Sequence, residues 1–157
     1  MAERQFSSFY VGEALFGLDI LLVREITRNP EITKVDQAPD FVQGLLHLRG
    51  QIVTVLDLGV RLGLEIRTIT EYSRCIVLKN SGELAVYRNA GELEDETTED
   101  SIGLLVDLTG DAVRINSEEI APSPANVRGI DAKYIKGVAK LADNLMIIIN
   151  TGKILKM

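Results

Sequence analysis

Hydrophobic and polar positions change over in short blocks along this chain, most of them with the period of a strand rather than of a helix. Phe6 to Val11 is aromatic and β-branched, Gly12-Glu13 reads as a turn, and Ala14 to Asp19 returns, so a hairpin is predicted at the start. Ile20 to Thr27 (ILLVREIT) either continues as strand or makes a helical turn first. Asn29-Pro30 ends that element, and Ile32 to Val35 can pair as an edge strand before the Ala38-Pro39 break. After Pro39-Asp40, Phe41, Leu45, Leu46 and Leu48 recur at helical spacing, which predicts a short amphipathic helix broken by Arg49-Gly50. Gln51 to Leu56 (QIVTVL) then reads as a strand buried on both faces, and Asp57 stands where a helix N-cap would, with Gly63 as the stop.

Further along, Ser73 to Lys79 predicts a strand, Asn80-Ser81-Gly82 a turn, and Glu83 to Tyr87 the partner strand. Ile102 to Ile115 predicts two more strands with Asp107 to Asp111 as the turn or bulge between them, and Ala121-Pro122-Ser123-Pro124 interrupts regular structure. The central pattern returns as Tyr134 to Leu155 at an offset of about 93 residues. Gly44 falls on Gly137, Leu48 on Leu141, Asp57 on Asn150 and Gly59 on Gly152. A second match sets Phe16 to Val23 (FGLDILLV) on Ile102 to Thr109 (IGLLVDLT), with Gly17 on Gly103. The chain therefore reads as two related halves. Each is marginal alone, so the two are expected to share a core in one mainly β, barrel-like domain with a few short helices.

Composition narrows the function. A length of 157 residues with 46% hydrophobic and 25% charged residues is ordinary globular material. A net charge of -6 without a Lys/Arg-rich run argues against a nucleic-acid partner, and the apolar runs are too short for membrane insertion. A protein partner and a cytoplasmic location are expected. Cys75 is the single cysteine and lies in the strand-like RCIVL, where a buried structural thiol is expected.

Candidate chemistry is sparse. His47 is the only histidine and lies in the apolar LLHLRG, without a nucleophile motif around it. Asp57-Leu58-Gly59 and Asn150-Thr151-Gly152 are similar to the paired Asp-Thr-Gly turns of aspartic proteases. Asn150 cannot ionise, however, and that chemistry needs two carboxylates sharing a proton. Residues 89–101, with Glu92, Glu94, Asp95, Glu96, Glu99 and Asp100 and no basic residue, read as a protruding, solvated loop that packs against little. No enzyme activity, no cofactor and no metal site is expected. Glu25 and Arg49 stand out as charged residues bracketed by apolar ones, and they form a candidate pair near the junction of the halves, with Asp57 a second candidate partner for Arg49.

FVQGLLHLRGQIVTVLDL, with VREI at Val23 to Ile26, IGLLVD at Ile102 to Asp107 and the closing LMIIINTGKIL, resembles the CheW family over about Phe6 to Lys156. The resemblance implies one domain over 1–157 made of two five-stranded β-barrels on a common core, the first over roughly 14–70 and the second over roughly 71–157, with strand 6–12 pairing with either. It further implies a non-enzymatic adaptor coupling chemoreceptors to the histidine kinase CheA in bacterial chemotaxis. The partners so implied are the CheA regulatory domain and the cytoplasmic tip of the receptors, which would hold the protein at receptor arrays of the inner membrane. Val23, Glu25, Gly44, Arg49, Val106 and Asp107 match family positions implicated in these contacts. A ligand-binding β-barrel or an aspartic-protease-like hydrolase would be the alternatives. Two departures stand out: the acidic stretch lengthens a usually short hairpin, and His47 replaces the usual Asn before Leu-Arg-Gly.

Overall fold

A computed structural model describes residues 3–28 and 31–156; the expected break at Asn29-Pro30 lies outside these described residues. In chain order, β1 is Glu3–Val11, β2 Ala14–Asp19, β3 Val23–Arg28, β4 Val42–Leu48 and β5 Gln51–Asp57, followed by helix α1 at Leu58–Arg61. Then come β6 at Arg74–Leu78, helix α2 at Ser81–Asn89, β7 at Ile102–Val106, β8 at Leu108–Asn116 and the short β9 at Ile120–Ala121. The chain closes with β10 at Asn126–Val127, β11 at Ile130–Asp131, β12 at Ile135–Lys140, β13 at Leu145–Ile149 and helix α3 at Thr151–Ile154.

Two sheets dominate, a five-stranded one ordered β3-β6-β7-β5-β4 and a six-stranded one ordered β8-β1-β2-β13-β12-β9. Each contains one parallel pair, β5 with β7 and β13 with β2, inside otherwise antiparallel ladders. The first five strands of the second sheet repeat the order of the first, element for element. What differs is the chain path: β1 and β2 sit in the second sheet, while β6 and β7 sit in the first. Each half has given its leading hairpin to the other. The sheets therefore do not divide at residue 70 as expected, because β2 belongs with β13 and β6–β7 with β5 and β3.

The sheets are also not closed barrels. Each curls, and the gap between its edges is bridged by chain rather than by a full ladder: Thr33, beyond β3, pairs with Leu45 of β4. In the same way β9, beyond β8, pairs with β12 at Val138 and Ala139.

Strand alternation sorts the apolar residues into three cores. Val53, Val55, Cys75, Val77 and Leu105 fill the curl of the first sheet. Phe6, Leu15, Ile115, Met146 and Ile148 fill that of the second. The opposite faces meet in a larger common core, with Leu56, Ile76, Leu104 and Val106 from one sheet and Phe9, Phe16, Leu18, Ile147 and Ile149 from the other. Two halves of a size that is marginal alone thus share the apolar burial that stabilises them.

Two elements differ from expectation. Residues 42–48 form strand β4, because the Arg49-Gly50 turn has φ values of 53° and 77° and joins Leu48 to Gln51 as a two-residue hairpin. Pairing with QIVTVL outweighs the local helical spacing. Residues 83–87 lie in α2 rather than in a strand. Asn80 accepts from the Glu83 amide at 2.9 Å while the Glu83 carboxylate accepts from the Asn80 amide at 3.0 Å, a reciprocal cap that starts a helix.

Candidate functional site

Asp57 and Asn150, the repeat-equivalent polar residues, cap helices. Asp57 Oδ1 accepts from the Val60 amide at 3.1 Å and its Oδ2 from the Arg67 amide at 2.8 Å, while Asn150 Oδ1 accepts from the Lys153 amide at 3.1 Å. Both oxygens of Asp57 are engaged in a buried setting, so this residue is not Arg49's partner.

Arg49 pairs with Glu25. Its Nη2 lies 3.3 Å from Glu25 Oε1, with the arginine side chain 79% exposed and the glutamate 24%. The β4–β5 turn carries the arginine out to solvent, and β3, at the other edge of the curled sheet, supplies the carboxylate. A bulge between Val23 and Glu25 leaves both half-buried next to each other at this edge. Val23 packs its apolar side against the common core. The structure therefore brings Val23, Glu25 and Arg49 to one edge.

The other three expected site residues lie elsewhere. Gly44 has φ +151°, and a Cβ there would stand 2.2 Å from the Thr33 carbonyl oxygen, so its lack of a side chain permits the bridge that narrows the sheet. Val106 is fully buried in the common core. Asp107 sits where the chain leaves the first sheet for the second, and its Oδ2 accepts from Arg67 Nη1 and from the Gly12 amide, each at 2.7 Å. Any influence of Gly44 and Val106 on a partner acts through the shape they sustain.

Three arginines that sequence reasoning left unassigned organise the surroundings. Arg24 reaches Glu83 of α2, Gln51 Oε1 at 3.3 Å and Ser101 Oγ at 3.4 Å. Its hydrogen bond holds the Glu83 carboxyl below its ordinary range. Arg67 ties the connection after α1 to Asp107. Arg61 donates to the carbonyls of Ile154 at 2.8 Å and Lys156, with its guanidinium 4.6 Å from the Phe41 ring and 5.3 Å from that of Tyr134. Arg24 had a signal in its place inside VREI; Arg61 and Arg67 become visible only when distant segments meet. Cys75 is buried as expected, and burial pushes its thiol up to about 12.

The acidic segment is not the loose loop expected. Leu93 inserts into the common core, and the Asp95 side chain, 5% exposed, pairs with Lys136. Thr151 Oγ1 donates to the Glu96 carbonyl at 2.7 Å and Thr97 Oγ1 to that of Lys79 at 2.8 Å. Interspersed apolar and hydroxyl residues, obscured by the run of acids, attach it. Among the described residues no helix is long and apolar enough to cross a membrane, and no three His, Cys, Asp or Glu converge as metal ligands.

A family model described as the CheW-like domain matches residues 5–157. The chemotaxis protein CheW of Klebsiella aerogenes is 29% identical over 152 residues, covering 97% of this chain and 81% of that protein. That of Treponema pallidum is 27% identical over 153 residues, covering 96% and 81%. The crystal structure of the scaffolding protein TtCheW from Thermoanaerobacter tengcongensis matches with a TM-score of 0.77 at 31% identity, over 95% of this chain and 85% of that one.

Proposed function

The chain belongs to the CheW-like domain family of chemotaxis coupling adaptors, and from that premise we propose that it joins the histidine kinase CheA to the cytoplasmic tip of chemoreceptors. It works by contact rather than by catalysis. The regulatory domain of the kinase is one partner and the receptor tip the other, and both together hold the protein at receptor arrays. Val23, Glu25 and Arg49 form the contact edge, while Gly44, Val106 and Asp107 keep that edge and the crossover between sheets in shape.

One observation carries the reading: a guanidinium held out on a tight turn, 79% exposed, and oriented by a carboxylate from a different strand. An exposed pair contributes little to folding, so its geometry is available to a partner. Asp57 and Asn150, the pair similar to aspartic-protease turns, are both engaged as helix caps, which supports the adaptor reading. Titration of the purified protein against a CheA regulatory domain and a receptor-tip fragment tests the adaptor role, and absence of binding to both would refute it. Arg49→Ala is expected to weaken receptor-tip binding about tenfold or more, about 1.4 kcal/mol, in a protein that stays folded. Unchanged affinity would remove Arg49 from the contact.

A further inference from the structure

The connection between β6 and β7 has no counterpart of its size in the other half of the repeat. There the equivalent strands, β1 and β2, are joined by Gly12-Glu13 alone. Here residues 79–101 intervene, with α2 and the acidic segment, and they do not simply bulge outward. On the side of the first sheet they are tied by Arg24 of β3 to the Glu83 carboxylate at 3.2 Å, by the Lys79 amide to the Leu22 carbonyl at 2.8 Å, and by the Thr54 amide to the Ser101 carbonyl at 3.0 Å, while Thr97 Oγ1 on the Lys79 carbonyl and the Ser81 amide on the Thr98 carbonyl hold the two ends of the segment to each other. On the side of the second sheet they receive Arg4 Nη1 on the Glu92 carbonyl at 2.6 Å, Thr151 Oγ1 on the Glu96 carbonyl, and Lys136 on Asp95. Between these attachments Leu84 and Leu93 enter the common core.

We propose that residues 79–101 are a strap that fixes the orientation of the two sheets, with Leu93 as its anchor and the Asp95–Lys136 and Thr151–Glu96 contacts as its latch on the second sheet. The common core holds the sheets together by apolar burial, which has no preferred direction and permits sliding of one face over the other. The strap adds directional bonds to both, and these have a single arrangement. A nearly buried carboxylate is a strong latch because it has lost its water and depends on Lys136 in its place. On the adaptor reading above, this strap lets a displacement of one sheet by a partner reach the other. The test uses no partner, so its failure would leave that reading untouched.

Labels at His47 and Lys140, exposed repeat-equivalent positions on β4 and β12, report the distance between the sheets once each is made cysteine and spin-labelled. Cys75 stays unlabelled because it is buried with its thiol raised to about 12. The parent protein should give one narrow distance distribution. Asp95→Asn with Thr151→Val, and separately Lys136→Met, should shift or widen it by about 2 Å or more. Glu99→Gln, on an exposed strap residue, should change nothing. Should the double variant fail to fold, Lys136→Met decides, since that side chain is 41% exposed. A folded, unlatched variant with the parental distribution would overturn the proposal.

Discussion

Arg49 and Gly44 lie five positions apart in one hairpin and have opposite energetic characters. In the Arg49–Glu25 pair the guanidinium is mostly in solvent and only the carboxylate is half-buried, so screening and side-chain entropy offset most of the attraction. Arg49→Ala should therefore move the urea midpoint by no more than about 1 kcal/mol of stability, and a global loss of folding would make it structural instead. Gly44 is the reverse case. Any Cβ meets the Thr33 carbonyl oxygen, and the backbone conformation is one that L side chains rarely adopt. Gly44→Ala should cost about 2 kcal/mol or more, read as a lower urea midpoint. A partner-binding defect in that variant would then reflect a displaced β3–β4 edge.

α2 and the segment after it are held by a charged cap at one end and a buried leucine at the other. The Glu83 carboxyl titrates below its ordinary range because of Arg24, and the same carboxylate caps the helix. A depressed folded value contributes stability that is present above the unfolded value and lost as pH falls through the folded one. α2 is thus expected to loosen below about pH 4, seen as faster amide exchange at Ser81 to Leu84, and Glu83→Gln should remove this acid step. Leu93, fully enclosed within a segment whose sequence reads as solvated, makes a second test. Leu93→Ala should cost about 2–4 kcal/mol; a change under about 1 kcal/mol would restore the picture of a loop that packs against little.

At the scale of the molecule, the two halves meet end to end at α1 and α3. Arg61 lies between Phe41 and Tyr134, which are repeat-equivalent, and closes the last turn of the opposite helix by donating to its free carbonyls. Its own equivalent in the other half is Ile154, so one side chain does this for both. Arg61→Ala is expected to cost about 2–3 kcal/mol, with Arg61→Lys recovering only part because an ammonium lacks the planar fork. A melting temperature unchanged in Arg61→Ala would show that this arginine does not help to join the halves.

What depends on neighbours along the chain was legible in the sequence: the period-2 strands, the cap at Asp57 and its repeat equivalent Asn150, the internal repeat, the buried Cys75, and the residues from Phe41 to Leu58 that carry the family resemblance. It also offered Glu25, with Asp57 second, as the partner of Arg49; the structure chooses Glu25, but with the arginine 79% exposed rather than held among apolar side chains. Only the tertiary structure decided which strands share a sheet. Exchange of the leading hairpins leaves every local pattern unchanged, since β1 and β2 bury the same faces whichever half they complete. It likewise decided that residues 42–48 are a strand, because a partner strand and a left-handed turn outweigh a weak helical period. The acidic run misled for a related reason: charge density reports solvation of the side chains, while one leucine and a few carbonyls determine where the backbone is held.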